Sequence, residues 1–228
     1  MKDFLLLMDI DWTMYSEKLP EEIADKIANA KIQDIKEGEF ASVKVSGLDD
    51  LLSKVGRDNL GVVSNGIADH QLKKLKGLGV ADYFNPRMII ISHAIAKIES
   101  GNLGIRWDYE IAQQIQKSSD KSLFENFPEY QYMKKWEKPS SRMVELAYKR
   151  FLAATKINLP SEQVFYLGDR QWDMRAITSF GGCGLHVKTP NNDSLDGLTE
   201  HARSSIIDVK YEDYPRIPEI IEKSRLSI

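Results

Sequence analysis

Short apolar runs that end at polar residues recur along the chain and predict buried strands. Most of these runs have apolar residues at successive positions rather than at alternate ones, which is typical of strands covered on both faces. They lie at residues 4–8, 60–63, 87–91, 164–167, 184–187 and 205–209. Patterns with helical spacing of apolar residues lie between them, at 19–37, 47–55, 71–78 and 142–156. This alternation predicts an α/β fold with a mostly parallel sheet and right-handed crossovers.

The segment 93–137 departs from this alternation. Ser100-Gly101-Asn102 predicts a turn, residues 109–117 a helix, and residues 124–136 are rich in aromatic side chains that suit a small local core. A structureless loop of this length is unusual inside a compact domain. We therefore expect 93–137 to be an inserted lid or cap, and 16–44 to be a small helical cap segment. The remaining parts, 1–15, 45–92 and 138–228, would form the core.

Composition narrows the class of protein further. With 42% hydrophobic and 29% charged residues over 228 positions, the chain is expected to be globular. A net charge of −3 argues against a nucleic-acid partner bound through a broad basic face. Cys183 is the only cysteine, which excludes an intrachain disulfide. The longest early apolar run is too short for a signal peptide or a membrane span. We expect a soluble cytoplasmic protein without a membrane partner.

Polar side chains follow three of the predicted strands where each strand ends. Because ligands of open α/β sheets bind at the carboxyl ends of the strands, these residues should lie together. Asp9 and Asp11 have the i, i+2 spacing that points both carboxylates to one side of an extended segment. An all-oxygen cluster without His or Cys favours Mg²⁺ over Zn²⁺. The gathered residues are Asp9, Asp11, Thr13, Ser64, Asn65, Asp169 and Asp173.

Four motifs in this order resemble those of the haloacid dehalogenase-like (HAD) hydrolases, phosphatase branch. They are Asp9-Ile10-Asp11-Trp12-Thr13, Ser64 at a strand end, Lys138-Pro139 before a helix, and Gly168-Asp169 followed by Asp173. The resemblance covers the core and not the insertion. It implies a Rossmann-like three-layer core with a parallel sheet and a small cap or insertion. It also implies Mg²⁺-dependent hydrolysis of a small soluble phosphomonoester, such as a sugar phosphate or a nucleotide monophosphate.

The resemblance further implies a role for each matching residue. Asp9 would be the nucleophile that forms an aspartyl-phosphate, and Asp11 the acid and then the base. Lys138 would act in catalysis and hold the phosphoryl oxygens. Phosphate contacts and loop orientation would come from Thr13, Ser64 and Asn65. The metal ligands would be Asp9, the Asp11 backbone carbonyl, Asp169 and Asp173.

Several alternatives stay open at this point. Asp11 favours phosphoester hydrolysis over dehalogenation, because an alcohol leaving group needs a proton. Phosphomutases or phosphotransferases keep the same acid, and a non-catalytic scaffold could share the fold. The superfamily commonly has Gly where this chain has Trp12, so we expect Trp12, together with Trp136, to face the substrate. The four histidines show no metal-ligand spacing and are expected at the surface or in packing. The sequence leaves the oligomeric state open.

Overall fold

A six-stranded sheet forms the centre of the protein. The computed structural model describes residues 4–15, 43–104, 107–118, 120–189 and 194–225. The helix predicted at 19–37, and nearly all of the cap segment predicted at 16–44, lie outside the described residues. Tyr15 and Lys44, which border that stretch, pair in an isolated antiparallel bridge. The two ends of the stretch therefore meet beside the core.

All six strands are parallel, and their order across the sheet is β3-β2-β1-β4-β5-β6. Each predicted strand is confirmed, with small differences at the ends. Arg87 and Met88 belong to a short 3₁₀ turn, because the Asn85 side chain accepts a hydrogen bond from the Arg87 amide. The strands are β1 (Leu5–Met8), β2 (Leu60–Ser64), β3 (Ile89–Ile91), β4 (Val164–Gly168), β5 (Cys183–Val187) and β6 (Ile206–Val209).

Helices connect the strands and cover both faces of the sheet. None of them, within the described ranges, is long and apolar enough to cross a bilayer. The helices are α1 (Leu48–Val55), α2 (Ala68–Gly77), α3 (Ser92–Asn102), α4 (Tyr109–Lys117), α5 (Pro128–Trp136), α6 (Arg142–Thr155), α7 (Gln171–Phe180), α8 (Glu200–Ser204) and α9 (Ile217–Arg225).

The apolar side chains of the central strands divide between the two faces, as strand geometry requires. Leu6 and Met8 join a cluster with α1 and α9 on one face. Leu5 and Leu7 join a second cluster with α6 and α7 on the other. The predicted three-layer α/β core with a parallel sheet is therefore confirmed.

The segment between β3 and α6 contains three helices with a small core of their own. That core includes Ala96, Ala112 and Met133. The turn predicted at Ser100-Gly101-Asn102 is wrong, because these residues complete α3. Ser100 is buried, and its hydroxyl donates to the Lys97 carbonyl within the helix, so its polar group is satisfied in a helical conformation. The aromatic stretch predicted to form a local core contributes Phe124, Tyr130, Tyr132 and Trp136 to the cluster.

The loop after β1 is held by the 3₁₀ segment Tyr211–Arg216 near the other end of the chain. The Tyr214 hydroxyl donates to the Thr13 carbonyl at 2.6 Å, and the Tyr211 hydroxyl donates to the Trp12 carbonyl at 2.7 Å. Tyr214 is fully buried, whereas Tyr211 is partly exposed. Two distant parts of the sequence thus fix the backbone of one short loop.

We expect Tyr214→Phe to lower the free energy of unfolding by about 1–3 kcal/mol, because a buried carbonyl loses its donor. Tyr211→Phe is the matched control and should cost less, since its hydrogen bond to the Trp12 carbonyl is only partly buried. Urea denaturation of both variants beside the wild type measures the difference. Equal losses in the two variants would contradict this account.

Candidate active site

A cavity of about 390 Å³ opens where β1, β2 and β4 end. Asp9 follows β1 directly, and its amide donates to the Leu167 carbonyl of β4 at 2.9 Å, so the parallel pairing continues to the edge of the cavity. The lining residues come from the strand ends, α2, the two ends of the segment 93–137, Lys138 and the residues around α7. They are Asp9, Asp11, Trp12, Tyr15, Ser64, Asn65, Gly66, His70, Gln71, Lys74, His93, Glu137, Lys138, Asp169, Arg170 and Trp172.

Three buried carboxylates meet beside this cavity, which Asp9 and Asp169 line and which Asp173 does not. Asp9, Asp169 and Asp173 each offer an oxygen within 4.8 Å of the others. Burial, together with repulsion from Asp173 and Asp11, raises the pKa of Asp9 to about 6 against the opposing effect of Lys138. Burial and the same kind of repulsion raise the pKa of Asp169 to about 8. A cluster with such raised pKa values is stabilised by any added cation.

Lys138 is the buried cation that two of these carboxylates share. Its Nζ lies 3.1 Å from Asp9 Oδ1 and 2.5 Å from Asp173 Oδ1. Burial by itself would lower the pKa of Lys138, but the two carboxylates raise it well above its ordinary value. The Lys138 amide donates to Asn65 Oδ1 at 3.0 Å, and its Nζ contacts the Tyr166 hydroxyl at 3.2 Å. The lysine is therefore fixed at both ends.

The donor set fits a hard divalent cation. Asp169 Oδ1 is buried and has no hydrogen-bond partner among the described residues, which leaves it available as a ligand. All three groups offer only oxygen, as Mg²⁺ prefers. Asp173 is more constrained, because its Oδ1 contacts Lys138 and its Oδ2 accepts from the Arg170 amide at 3.0 Å. Asp9 and Asp169 are thus the better placed ligands, with Asp173 holding the lysine.

Gly168 permits the close approach of Asp173 to the end of β4. A Cβ at position 168 would lie 2.6 Å from Asp173 Oδ2 and 2.8 Å from its Cβ. These separations are far shorter than van der Waals contact, so only glycine fits without displacing the carboxylate. The Gly-Asp pair in the sequence is therefore explained by packing as well as by chemistry.

Asp11 lines the same cavity as Asp9, as its i, i+2 spacing predicted, but its carboxylate contacts α2. Its carboxylate pairs with Lys74 and accepts hydrogen bonds from the Tyr15 hydroxyl and, at 3.0 Å, from Gln71 Nε2. Burial would raise the pKa of Asp11, but Lys74 and the hydrogen bonds lower it overall. Sequence reasoning missed Lys74 and Gln71. Their i, i+3 spacing on a helix that follows Ser64-Asn65-Gly66 was the available signal.

The phosphate-contact residues predicted from sequence do not all reach the cavity. Ser64 and Asn65 line it, and Asn65 also positions Lys138. Thr13 does not line the cavity and is fully buried, so the prediction of a direct phosphate contact is corrected. The amides of Thr13 and Met14 both donate to the Ile10 carbonyl, and this tight turn carries the Thr13 side chain inward. Thr13 can therefore shape the loop but cannot touch a ligand.

The insertion reaches the cavity through its first and last residues. His93 and Glu137 both line it, and His93 Nε2 lies 3.4 Å from Glu137 Oε1. His70 lies there too, so two of the histidines expected in packing or at the surface belong to the cavity wall. Trp136, expected to face the substrate, packs between two apolar clusters and donates to Glu99 at 2.5 Å. Trp172 lines the cavity in its place, and no motif distinguishes it from the other tryptophans.

Comparison with solved structures gives several proteins of one fold. A Thermotoga maritima protein assigned as a beta-phosphoglucomutase has a TM-score of 0.54 and 13% identity, covering 95% of this chain and 98% of that one. A haloacid dehalogenase-like protein of unknown function from Agrobacterium tumefaciens has a TM-score of 0.53 and 11% identity, covering 96% of this chain and 99% of that one. YfnB of Bacillus subtilis, assigned as a HAD hydrolase and solved bound to magnesium, has a TM-score of 0.52 and 13% identity. The match covers 95% of this chain and 99% of that one.

These likenesses extend over nearly the whole of each chain. The protein has the haloacid dehalogenase-like fold, as its motifs predicted. No protein-family model matches the chain, and no curated protein matches it either. At these identities the structures define the fold alone.

We expect the metal-free protein to lose stability between about pH 4 and about pH 8, because folding raises the pKa of Asp9 and Asp169. The folded state then binds more protons than the unfolded state over this range, so the free energy of unfolding falls as pH rises. Asp169→Asn should flatten this dependence. Urea unfolding with a chelator present, repeated across the range, measures it, and Asp58→Asn, an exposed carboxylate elsewhere, should keep the wild-type slope.

Mg²⁺ should restore the stability of the wild type most at the alkaline end, where the carboxylates are ionised. The same addition should have little effect on Asp169→Asn. An equal thermal shift for both proteins would contradict the assignment of Asp169 as a ligand.

Proposed function

We propose that the protein hydrolyses a small phosphomonoester in the presence of Mg²⁺, through an aspartyl-phosphate at Asp9. The observation that carries this proposal is the group formed by Asp9, Lys138 and Asp169 in the cavity. A buried carboxylate lies 3.1 Å from a lysine and beside a second acid with an unpartnered oxygen. Phosphoryl transfer needs mainly such positioning and neutralisation of charge.

The reaction would proceed in two displacements at phosphorus. In the first, an Asp9 oxygen attacks, the bond from phosphorus to the leaving oxygen breaks, and that oxygen takes a proton from Asp11. In the second, water attacks the aspartyl-phosphate, its proton passes to Asp11, and Asp9 is released with inorganic phosphate. The pKa of Asp9, about 6, leaves the nucleophile ionised at neutral pH.

Charge on the transferred group would be balanced by fixed donors. Lys138 is held by Asn65 and Tyr166, so its ammonium needs no rearrangement to meet a phosphoryl oxygen. Ser64 and the backbone around Asn65 and Gly66 would bind the remaining oxygens. Mg²⁺ held by Asp9, the Asp11 carbonyl and Asp169, with Asp173 behind, would offset the negative charge of phosphate and carboxylate.

The contacts of Asp11 favour its role in the second displacement. Lys74 and Gln71 hold its carboxylate ionised, as a base requires. Acting first as an acid requires that Asp11 take up a proton, and hence that its contact with Lys74 loosens when the substrate binds. This requirement belongs to poor leaving groups only, because an aryl oxide leaves without a proton.

The structural neighbours are compatible with this proposal without deciding the substrate. One of them was solved with magnesium, and another is assigned as a mutase. A mutase would return the phosphoryl group to a sugar instead of releasing it. Release of inorganic phosphate therefore separates the two functions.

We expect Asp9→Asn to abolish release of phosphate from an aryl phosphate, and omission of Mg²⁺ to have the same effect. Asp11→Asn should slow hydrolysis of an aryl phosphate by about 10²–10⁴-fold through the second displacement, and of an alkyl phosphate at least as much, because the alkyl leaving group also loses its acid. Phosphate release at saturating metal measures both. Asp58→Asn is the control for loss of a carboxylate outside the cavity.

Turnover that survives Asp9→Asn would overturn the nucleophile assignment. A folded wild type that exchanges phosphoryl groups between sugars but releases no phosphate would favour the mutase. A wild type that does neither would favour a binding or scaffold protein.

A further inference from the structure

Two indole rings line the cavity that contains Asp9. Trp12 follows the nucleophile by three positions, and Trp172 lies in the first turn of α7. Trp172 is 45% exposed while lining the cavity, so part of its ring surface is accessible to a ligand. Exposed aromatic faces at the mouth of a cavity are the usual means of holding a flat ligand group.

The orientation of Trp172 is coupled to the acidic group. The Arg170 guanidinium lies 5.9 Å from the centre of the Trp172 ring, and Arg170 Nε lies 3.2 Å from Asp169 Oδ2. The indole is thus attached through one cation to a candidate metal ligand. Its position relative to the phosphoryl end of the cavity is set by these two contacts.

The backbone of Trp12 has a conformation that bulky residues rarely adopt. Its φ of 57° lies in the left-handed region, which is unfavourable for a bulky side chain. The Tyr211 hydroxyl fixes the Trp12 carbonyl, and the Trp12 ring packs on Tyr15 at 5.5 Å. Strain of this kind at a ligand cavity indicates a functional reason for the side chain.

The charges in the wall argue against a second anionic group on the substrate. Within the described ranges, each Lys or Arg that lines the cavity already has a carboxylate partner. Lys74 pairs with Asp11, Lys138 with Asp9 and Asp173, and Arg170 with Asp169. Only the transferred phosphoryl group, with its metal, would meet cationic charge.

We propose that the substrate carries an uncharged leaving group with a planar heteroaromatic ring, of the nucleoside kind, which packs on Trp172 and Trp12. This inference rests on the proposed function and narrows its substrate class. The ring would lie at the mouth of the cavity, and the phosphoryl group at Asp9. Stacking on an aromatic side chain then adds affinity that a simple sugar phosphate cannot gain.

The test compares adenosine and uridine 5′-monophosphates with ribose 5-phosphate, which has the same leaving hydroxyl and lacks only the base. We expect the wild type to prefer the nucleotides in kcat/KM by about 10-fold or more, mainly through KM. Trp172→Leu, which keeps apolar bulk but removes the ring, should reduce that preference toward unity, and Trp172→Phe should restore most of it. Phe127→Leu, an exposed ring outside the cavity, should keep the wild-type preference.

A second readout does not need turnover. In Asp9→Asn, binding of the nucleotides should quench tryptophan fluorescence, and the quenching should fall when Trp172→Leu is added. Equal kcat/KM for ribose 5-phosphate and the nucleotides, or a preference that Trp172→Leu leaves intact, would overturn this inference while phosphate release still supported the hydrolase. Absence of phosphate release from all three compounds, with nucleotide quenching retained, would overturn the proposed function alone.

Discussion

The buried ammonium of Lys138 is the interaction on which the site depends. Three carboxylates that lie within 4.8 Å of one another repel, and two of them contact this one cation. Removing a partner from a buried ion pair costs far more than the pair itself contributes, because the remaining charge stays uncompensated. The surrounding structure therefore fixes the lysine through Asn65 after β2 and Tyr166 in β4. The Tyr166 hydroxyl also donates to the Val63 carbonyl at 2.5 Å, so the lysine and the sheet share a network.

Asp9 and Asp11 are only two positions apart in the sequence, yet their carboxyl groups have opposite electrostatic environments. Asp9 lies among other acids, and burial raises its pKa, whereas Lys74 keeps the pKa of Asp11 below its ordinary value. Divergent pKa values in neighbouring carboxyls are what separate roles require in acid–base chemistry. The turn after Ile10 causes the divergence, because it sends one carboxylate toward β4 and the other toward α2.

The core could be predicted because its signals are local. Apolar runs locate the strands, and parallel topology brings their carboxyl ends together, so Asp9, Ser64 and Asp169 follow from pattern and topology. The rest depends on packing that no short window contains. Thr13 is turned inward by hydrogen bonds to the Ile10 carbonyl, and the Ser100 hydroxyl donates to the Lys97 carbonyl within α3. In the sequence, nothing distinguishes Lys74 from other helix lysines, because its partner Asp11 is distant in the chain and comes near only in the folded protein.

The cavity therefore has two ends that are determined differently. The phosphoryl end is built from strand termini, and the parallel sheet itself brings those termini together. The rest of the lining includes Trp12, Trp172 and His93, which lie outside the strands, so the sheet does not determine their identity. Trp12 has a left-handed backbone conformation that is unfavourable for a bulky residue, and His93 lies in the first turn of α3. Substitutions at Trp12, Trp172 or His93 can therefore change what is bound without changing the carboxylates at the strand ends. Arg170 connects the two groups, since it contacts both Asp169 and Trp172 and so couples the leaving-group side chains to the acids.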